Sequence, residues 1–259
     1  GVWYWRFSEQ RRESHQLHQD ALTACTEAVD QNSTAQKALA KALADAKSAQ
    51  SITADQVADG ATIDTLKKAI AAVKNVEAVA CKTSASTSDL KEYAKTATSQ
   101  TETAKKNATA ITAAAKAVTD SKNAKDQANA QQALQSKIAE AQTLLDNSLY
   151  AVDDNSTRVT LESDIANANT VLSQQGTDVK AMQDAVNTLT ASMDAVNTSM
   201  ANYSAAVEAQ REAARQKALN DYYARLRQQQ LLQQQQQTQP DGTGDQGTKL
   251  GTDDQETKP

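Results

Sequence analysis

Between Gly60 and Gly176 the chain contains neither a glycine nor a proline. These are the residues that most strongly oppose a helix interior, one through backbone entropy and the other through its missing N–H. Nothing in that interval of more than a hundred residues obliges a helix to stop. Aromatic side chains are scarce as well, at 3% of the sequence. Leu, Ile, Val and Phe together make only about 15%, a level at which a thick globular core is excluded and disorder has to be considered. The two cysteines stand 56 residues apart and form no zinc-binding Cys cluster. No stretch is long and apolar enough to cross a bilayer. There is no basic stripe, and a pI near 5.2 gives no footprint for nucleic acid. Glycine-rich phosphate loops and nucleophile elbows are also missing, so the chain reads as a non-enzyme without a cofactor.

What is present argues against disorder. Net charge is only -5, and the large apolar residues are periodic. Leu90, Ala97, Ala104, Ile111 and Val118 recur every seven residues, with Ala94, Thr101, Ala108 and Ala115 on the neighbouring line. Such a seam marks a helix that packs along its length. The spacing predicts one continuous helix over Leu90–Tyr150, through the polar stretch Asp120–Gln132. Alanine at the seam lets helix axes approach closely, so thin bundles can cohere.

Before it, Ser14–Ile52 reads as a long helix whose seam is imperfect at Asn32 and Gln36. A turn follows at Thr53–Thr62, then a second helix through Ile63, Leu66, Ile70 and Val73, ending near Cys81. The stretch KTSASTSD is a loop, with Ser86 and Ser88 as cap candidates and Asp89 in the first turn. An offset of 95 then lays Leu39 on Leu134, Val57 on Val152, Asp59 on Asp154, Leu66 on Leu161 and Ile70 on Ile165. The third helices align at an offset of 89, Asp89 on Asp178. The chain therefore holds two copies of a helix–turn–helix–turn–helix unit. In the second copy Gly176 is the expected C′ residue and Thr177 the N-cap. Val179, Met182, Val186, Leu189, Met193, Val196 and Met200 form the best seam. A methionine stripe can be a promiscuous binding face, but at this spacing it reads as core.

Cys25 and Cys81 are expected to form a disulfide. The first turn centres near residue 53, and in an antiparallel hairpin facing residues sum to about twice that number, as 25 and 81 do. A disulfide implies an oxidising, exported location. The start GVWYWRF interleaves Trp3, Tyr4, Trp5 and Phe7 with Arg6, a composition suited to a membrane interface. The expectation is a membrane-spanning helix upstream of Gly1; the alternative is an apolar start that docks on its own bundle. His15 and His18 share a helix face but lack a third strong ligand, so they read as a solvated helix start. Five Asn-x-Ser/Thr sequons, at Asn32, Asn107, Asn155, Asn197 and Asn202, match chance in so polar a chain. Past the last seam a polar helix continues, with Tyr222, Tyr223, Leu226, Leu231 and Leu232 as a partner patch or, alternatively, a fraying end. Pro240–Pro259 is expected to be a disordered tail.

The second copy resembles the FIVAR-type repeat, a helical module of large surface proteins and wall-anchored enzymes of Gram-positive bacteria. Leu134, Ile138, Ala141 and Leu145, then Thr157, Leu161, Ile165, Ala168, Val171 and Leu172, then Val179, Met182, Val186 and Leu189 carry the likeness. The resemblance implies a surface-exposed, non-catalytic module used as a spacer or in adhesion.

The expected architecture is all-α: elongated tandem three-helix bundles, a spectrin-like array sharing one helix of about sixty residues. Its parts are a juxtamembrane stub (1–13), a first bundle (14–123), a second bundle (124–207), a protruding polar helix (208–237) and a tail (238–259). The expected role is a monomeric, extracellular, membrane-tethered rod that spaces or presents. Its rivals are an adhesin for a host matrix protein or cell-wall glycan, and an oligomerising coiled coil.

Overall fold

The glycine- and proline-free interval folds around one helix. In the computed structural model, which describes residues 2–176, 178–239 and 242, α4 runs unbroken for 61 residues from Thr87 to Asn147. At about 1.5 Å per residue it is roughly 90 Å long. Ser86 caps it, its Oγ accepting the Asp89 N–H at 3.0 Å. Through the polar junction, Lys116–Asp120 and Lys122–Asp126 pair at i,i+4, each at 2.5 Å. Such exposed pairs add only about 0.3–0.5 kcal/mol each, enough to tip a stretch that already lacks any breaker.

The other elements, all helical among the described residues, are α1 (Val2–Asp45), the short α2 (Lys47–Gln50), a 3-10 turn (Ala54–Gln56), α3 (Ala61–Ala71), α5 (Ser156–Ser173) and α6 (Val179–Gln237). Each packs on α4. Leu39, Val57, Leu66, Ile111 and Val118 centre one core, filled out by alanines of α1 and α4. Leu134, Leu161, Ile165, Leu189 and Val196 centre another. Ala21, Cys25 and Leu90 form a small third cluster beyond the end of α3. Met182 is buried, and Met193 and Met200 pack against the second core, so the methionine stripe is interior packing.

The 95-residue repeat is visible in atomic detail at the turns. The Ala58 N–H donates to the Ser121 carbonyl at 3.1 Å, and the Asp59 N–H donates to Ser121 Oγ at 2.8 Å. In the second copy Asp153 and Asp154 donate to the carbonyl and Oγ of Ser199 at the same two distances. Asp59 Oδ1 then accepts the Ala61 N–H at 2.9 Å, and Asp154 Oδ1 the Ser156 N–H at 2.8 Å. One serine per unit thus clasps the turn before the down-running helix to the third helix, and the aspartate starts that helix.

Four expectations are corrected. First, α1 begins at Val2, not Ser14; no Gly or Pro separates the aromatic start from the helix that follows, and Ser8 and Ser14 donate their hydroxyls to the Trp5 and Arg11 carbonyls instead of capping. Second, α3 ends at Ala71, ten residues short of Cys81. Val73 lines the same groove as Leu39 and Leu43, roughly 21–27 Å along α1 from Cys25. Eight helical residues would cover only about 12 Å, whereas eight extended ones cover about 26 Å. The tether at Cys81 therefore draws the chain out straight. Third, the third helices do not align at 89. Ser86 and Asp178 are the matching caps, and Ser121 and Ser199 the matching clasps. Thirty-five residues separate cap from clasp in the first unit and twenty-one in the second. The difference, fourteen, is two heptads, so the seam keeps its phase while the first unit grows longer. Fourth, Asp178 is the N-cap of α6, accepting the Ala181 N–H at 2.7 Å, while Thr177 lies outside the described residues. Gly176 has φ +75°, as the turn needs, but sits one residue beyond C′ because Gln174 is the C-cap. Of the tail expected over 238–259, only Thr238, Gln239 and Gly242 lie within the described residues, and Thr238 is the C-cap of α6.

Replacing Ser121 or Ser199 with alanine strands a part-buried N–H of the turn. Each variant is expected to lower stability by about 1–2 kcal/mol, read as a lower midpoint in urea unfolding.

Candidate functional site

The features that carry chemistry or contact lie at the ends of the molecule. At the α1 end, Cys25 and Cys81 form a disulfide with a Cα–Cα distance of 5.9 Å. The Cys25 side chain is fully buried beside Ala21 and Leu90, with Leu22, Ala85 and Ala94 around them. The pairing is the expected one, but the path is not that of a regular hairpin. The turn takes up residues through Gly60, and the straight segment 73–80 restores the register.

That segment is held by a line of amides. Gln36 Nε2 donates to Asn32 Oδ1 at 3.2 Å, Asn32 Nδ2 to Gln100 Oε1 at 2.8 Å, and Gln100 Nε2 to the Glu77 carbonyl at 3.0 Å. The irregular seam positions on α1 are therefore the anchor of a polar relay that reaches through α4 to the strap. Polar residues at two seam positions were the signal in the sequence; their partner could not be read because it depends on where α3 stops. Asn32 is buried in this relay, so its sequon is shielded in the folded chain.

The two histidines diverge. His15 is exposed, while His18 donates from Nε2 to the Ala85 carbonyl at 3.0 Å, fastening α1 to the loop that leads into α4. Among the described residues no group of three or more His, Cys, Asp or Glu is placed to hold a metal ion.

Beyond His18 the start of α1 stands clear of the bundle. Trp3 is 90% and Tyr4 86% exposed, and Trp5 and Phe7 are exposed with them, so the aromatic start does not dock on its own core. Arg11 lies over the Phe7 ring, 5.0 Å from its centroid. No helix among the described residues is long and apolar enough to cross a membrane.

At the opposite end α6 outruns its partners. Tyr203 is already partly exposed, and beyond Val207 nearly every residue is exposed. Glu208–Arg211 and Glu212–Arg215 pair at i,i+3. Tyr222 and Tyr223 meet edge to face at 5.7 Å. With Leu226 and Leu219 they form a stripe at i, i+3, i+4 and i+7. Leu231 and Leu232 are also exposed, but at 100° per residue they fall on other faces, so the expected five-residue patch divides.

An open cleft of about 870 Å³ lies between the α4 junction and the Gly176 turn. Its acids are engaged: Asp126 pairs with Lys122, and Asp178 caps α6. The amides of Asn123, Asn129 and Gln183 make up much of its polar wall, a set suited to hydrogen bonding and not to proton transfer.

No protein-family model, curated protein or solved structure matches the chain.

Two carboxyl groups in the turns have lowered pKa values. The Ser156 N–H and then its hydroxyl hold the Asp154 carboxyl below its ordinary 3.8. The Thr53 hydroxyl does the same for Asp55, followed by its own backbone N–H. A depressed folded value contributes stability above the unfolded pKa and loses it as pH falls through the folded one. Both turns are expected to loosen only below pH 3.8, with the Asp154 carboxyl titrating under that value by NMR.

Reduction is expected to free the strap and leave the second core intact. In the chain-entropy model a 56-residue bridge contributes about 4 kcal/mol. With reductant, limited proteolysis should open a new cut within 72–85, while α5 and the packed part of α6, residues 179–200, stay protected.

Proposed function

We propose that the protein is a non-catalytic spacer: a monomeric rod of tandem three-helix bundles sharing α4. In this reading it is exported and tethered at the cell surface through its α1 end. The carrying observation is the pair of separate cores strung on one unbroken helix, each with the same serine clasp. A spectrin-like array has this arrangement, with each unit built up, down and up and the third helix of one serving as the first of the next. The seam residues of α1, α4 and α6 are used up inside the chain, which favours a monomer over an oligomerising coiled coil. The disulfide favours an oxidising compartment, and the exposed Trp3, Tyr4, Trp5 and Phe7 with Arg6 favour a membrane interface. The FIVAR-like outline of the second unit belongs to the same reading.

The adhesin alternative has one specific observation behind it, the stripe of exposed Leu219, Tyr222 and Tyr223 with half-buried Leu226 on the free end of α6. Its partner would be a host matrix protein or a cell-wall glycan.

Small-angle scattering tests the rod. A compact chain of this length has a radius of gyration of about 18 Å, whereas the rod is expected to give roughly 40 Å, from a 90 Å α4 with helical extensions at both ends. Ala128→Pro removes the bond to the Ala124 carbonyl and should kink α4 at an exposed position. The radius is expected to shrink while both cores still unfold cooperatively. A wild-type value near 20 Å would end the spacer reading, and concentration-dependent growth would favour the oligomer.

A further inference from the structure

The helices run in register along one axis, and that decides what happens when the rod is pulled. His18 meets Ala85 and Asn32 meets Gln100, so α1 runs parallel to the first half of α4. α6 starts beside Asp126 and Ala130 and reaches its clasp, Ser199, beside the turn that follows α4, so it runs parallel to the second half. The free start of α1 and the free end of α6 therefore point out of opposite ends. Tension between them drags α1 and α4 past each other in the first unit and α4 and α6 past each other in the second.

The Cys25–Cys81 bridge lies where the first of these shears begins. Cys25 is one turn past Ala21, the first buried residue of α1. Cys81 is five residues before Ser86, the cap of α4. Force arriving along α1 crosses the sulfurs and enters α4 almost directly. The geometry points to a mechanical bypass: residues 26–80, with the rest of α1, α3 and the strap, are taken off the load path. The second unit has no such link, because no cysteine remains, and it is the part that yields. This deepens the spacer reading and rests on it only for the source of the load.

The test is single-molecule force spectroscopy on the full chain, with handles at both termini, with and without reductant. The bridge hides 56 residues, so the oxidised chain is expected to extend about 200 Å less than the reduced one. The lowest-force event of the oxidised chain should weaken with Leu134→Ala in the second core and be unmoved by Ile111→Ala in the first. After reduction Ile111→Ala should weaken an event as well. The double variant Cys25→Ser, Cys81→Ser should reproduce the reduced trace without reductant; if it does not fold, reductant on the wild-type chain supplies the same comparison. Equal extended lengths, or an oxidised first event that Ile111→Ala lowers as much as Leu134→Ala, would overturn the bypass. Either result leaves the scattering radius untouched, and a compact particle in scattering leaves this comparison untouched.

Discussion

The structure depends on the close approach of small side chains along α4. Ala97 and Ala141 are fully buried there, and Ala104 and Ala114 nearly so. An alanine seam loses no side-chain entropy on packing and brings helix axes near enough for dispersion contacts along their length. It buries little area per residue, however, so cohesion accumulates with length and not with thickness. The few large residues, Leu90, Ile111, Val118 and Leu134, are fully buried and spaced along the helix. They fix rotation and register, and the alanines between them supply continuity. A helix broken at the junction would leave two units each too thin to hold the other in line.

Given that constraint, the two units show how the same plan tolerates a change of length. Fourteen extra residues lie between cap and clasp of the first third helix. Fourteen residues make close to four helical turns, so Leu90 stays on the seam, whereas an insertion of one or two residues would have rotated it off by about 100–200°. The added length has a cost, since α3 stops at Ala71 and leaves the far end with two helices in place of three. A two-helix contact of alanines is weak, and three devices compensate there: the disulfide, the Gln36–Asn32–Gln100 relay and the His18–Ala85 bond. The shorter second unit packs residues of α4, α5 and α6 in one core and uses none of these devices. In place of Ile63 it has Arg158, which donates to the Leu145 carbonyl and to Ser148 Oγ and so closes the exposed end of α4.

What could be read in advance follows from which signals are local. The unbroken helix expected over Leu90–Tyr150, Ser86 as one of two cap candidates with Asp89 behind it, the turn expected at Thr53–Thr62 and the alignment of Asp59 with Asp154 all rest on neighbouring residues. The helix is there but ends at Asn147, with Tyr150 already at φ +62°, and the turn closes at Gly60, since α3 starts at Ala61. The end of α3 was misplaced because nothing local stops a helix at Ala71. Val73, Val76 and Val79 tolerate either state, and the tether at Cys81 decides between them. The cysteine pairing was legible from symmetry, but the symmetry was only numerical. The third-helix offset failed for the opposite reason. Low-complexity alanine repeats match at many registers, and only the clasp serines, Ser121 and Ser199, distinguish the true one.

The free end of α6 obeys a different rule from the rest of that helix. Its seam runs from Val179 to Met200 on the side facing α4 and α5. The stripe of Leu219, Tyr222, Tyr223 and Leu226 is turned from that line by roughly 110° at 100° per residue. A helix that merely continued past its partners would carry the old seam onward, fading as selection for packing lapsed. Gln210 and Lys217 instead occupy the old seam positions, and the apolar residues regroup on another face. That face is turned away from the second core, so the stripe takes no part in the packing of α4, α5 and α6.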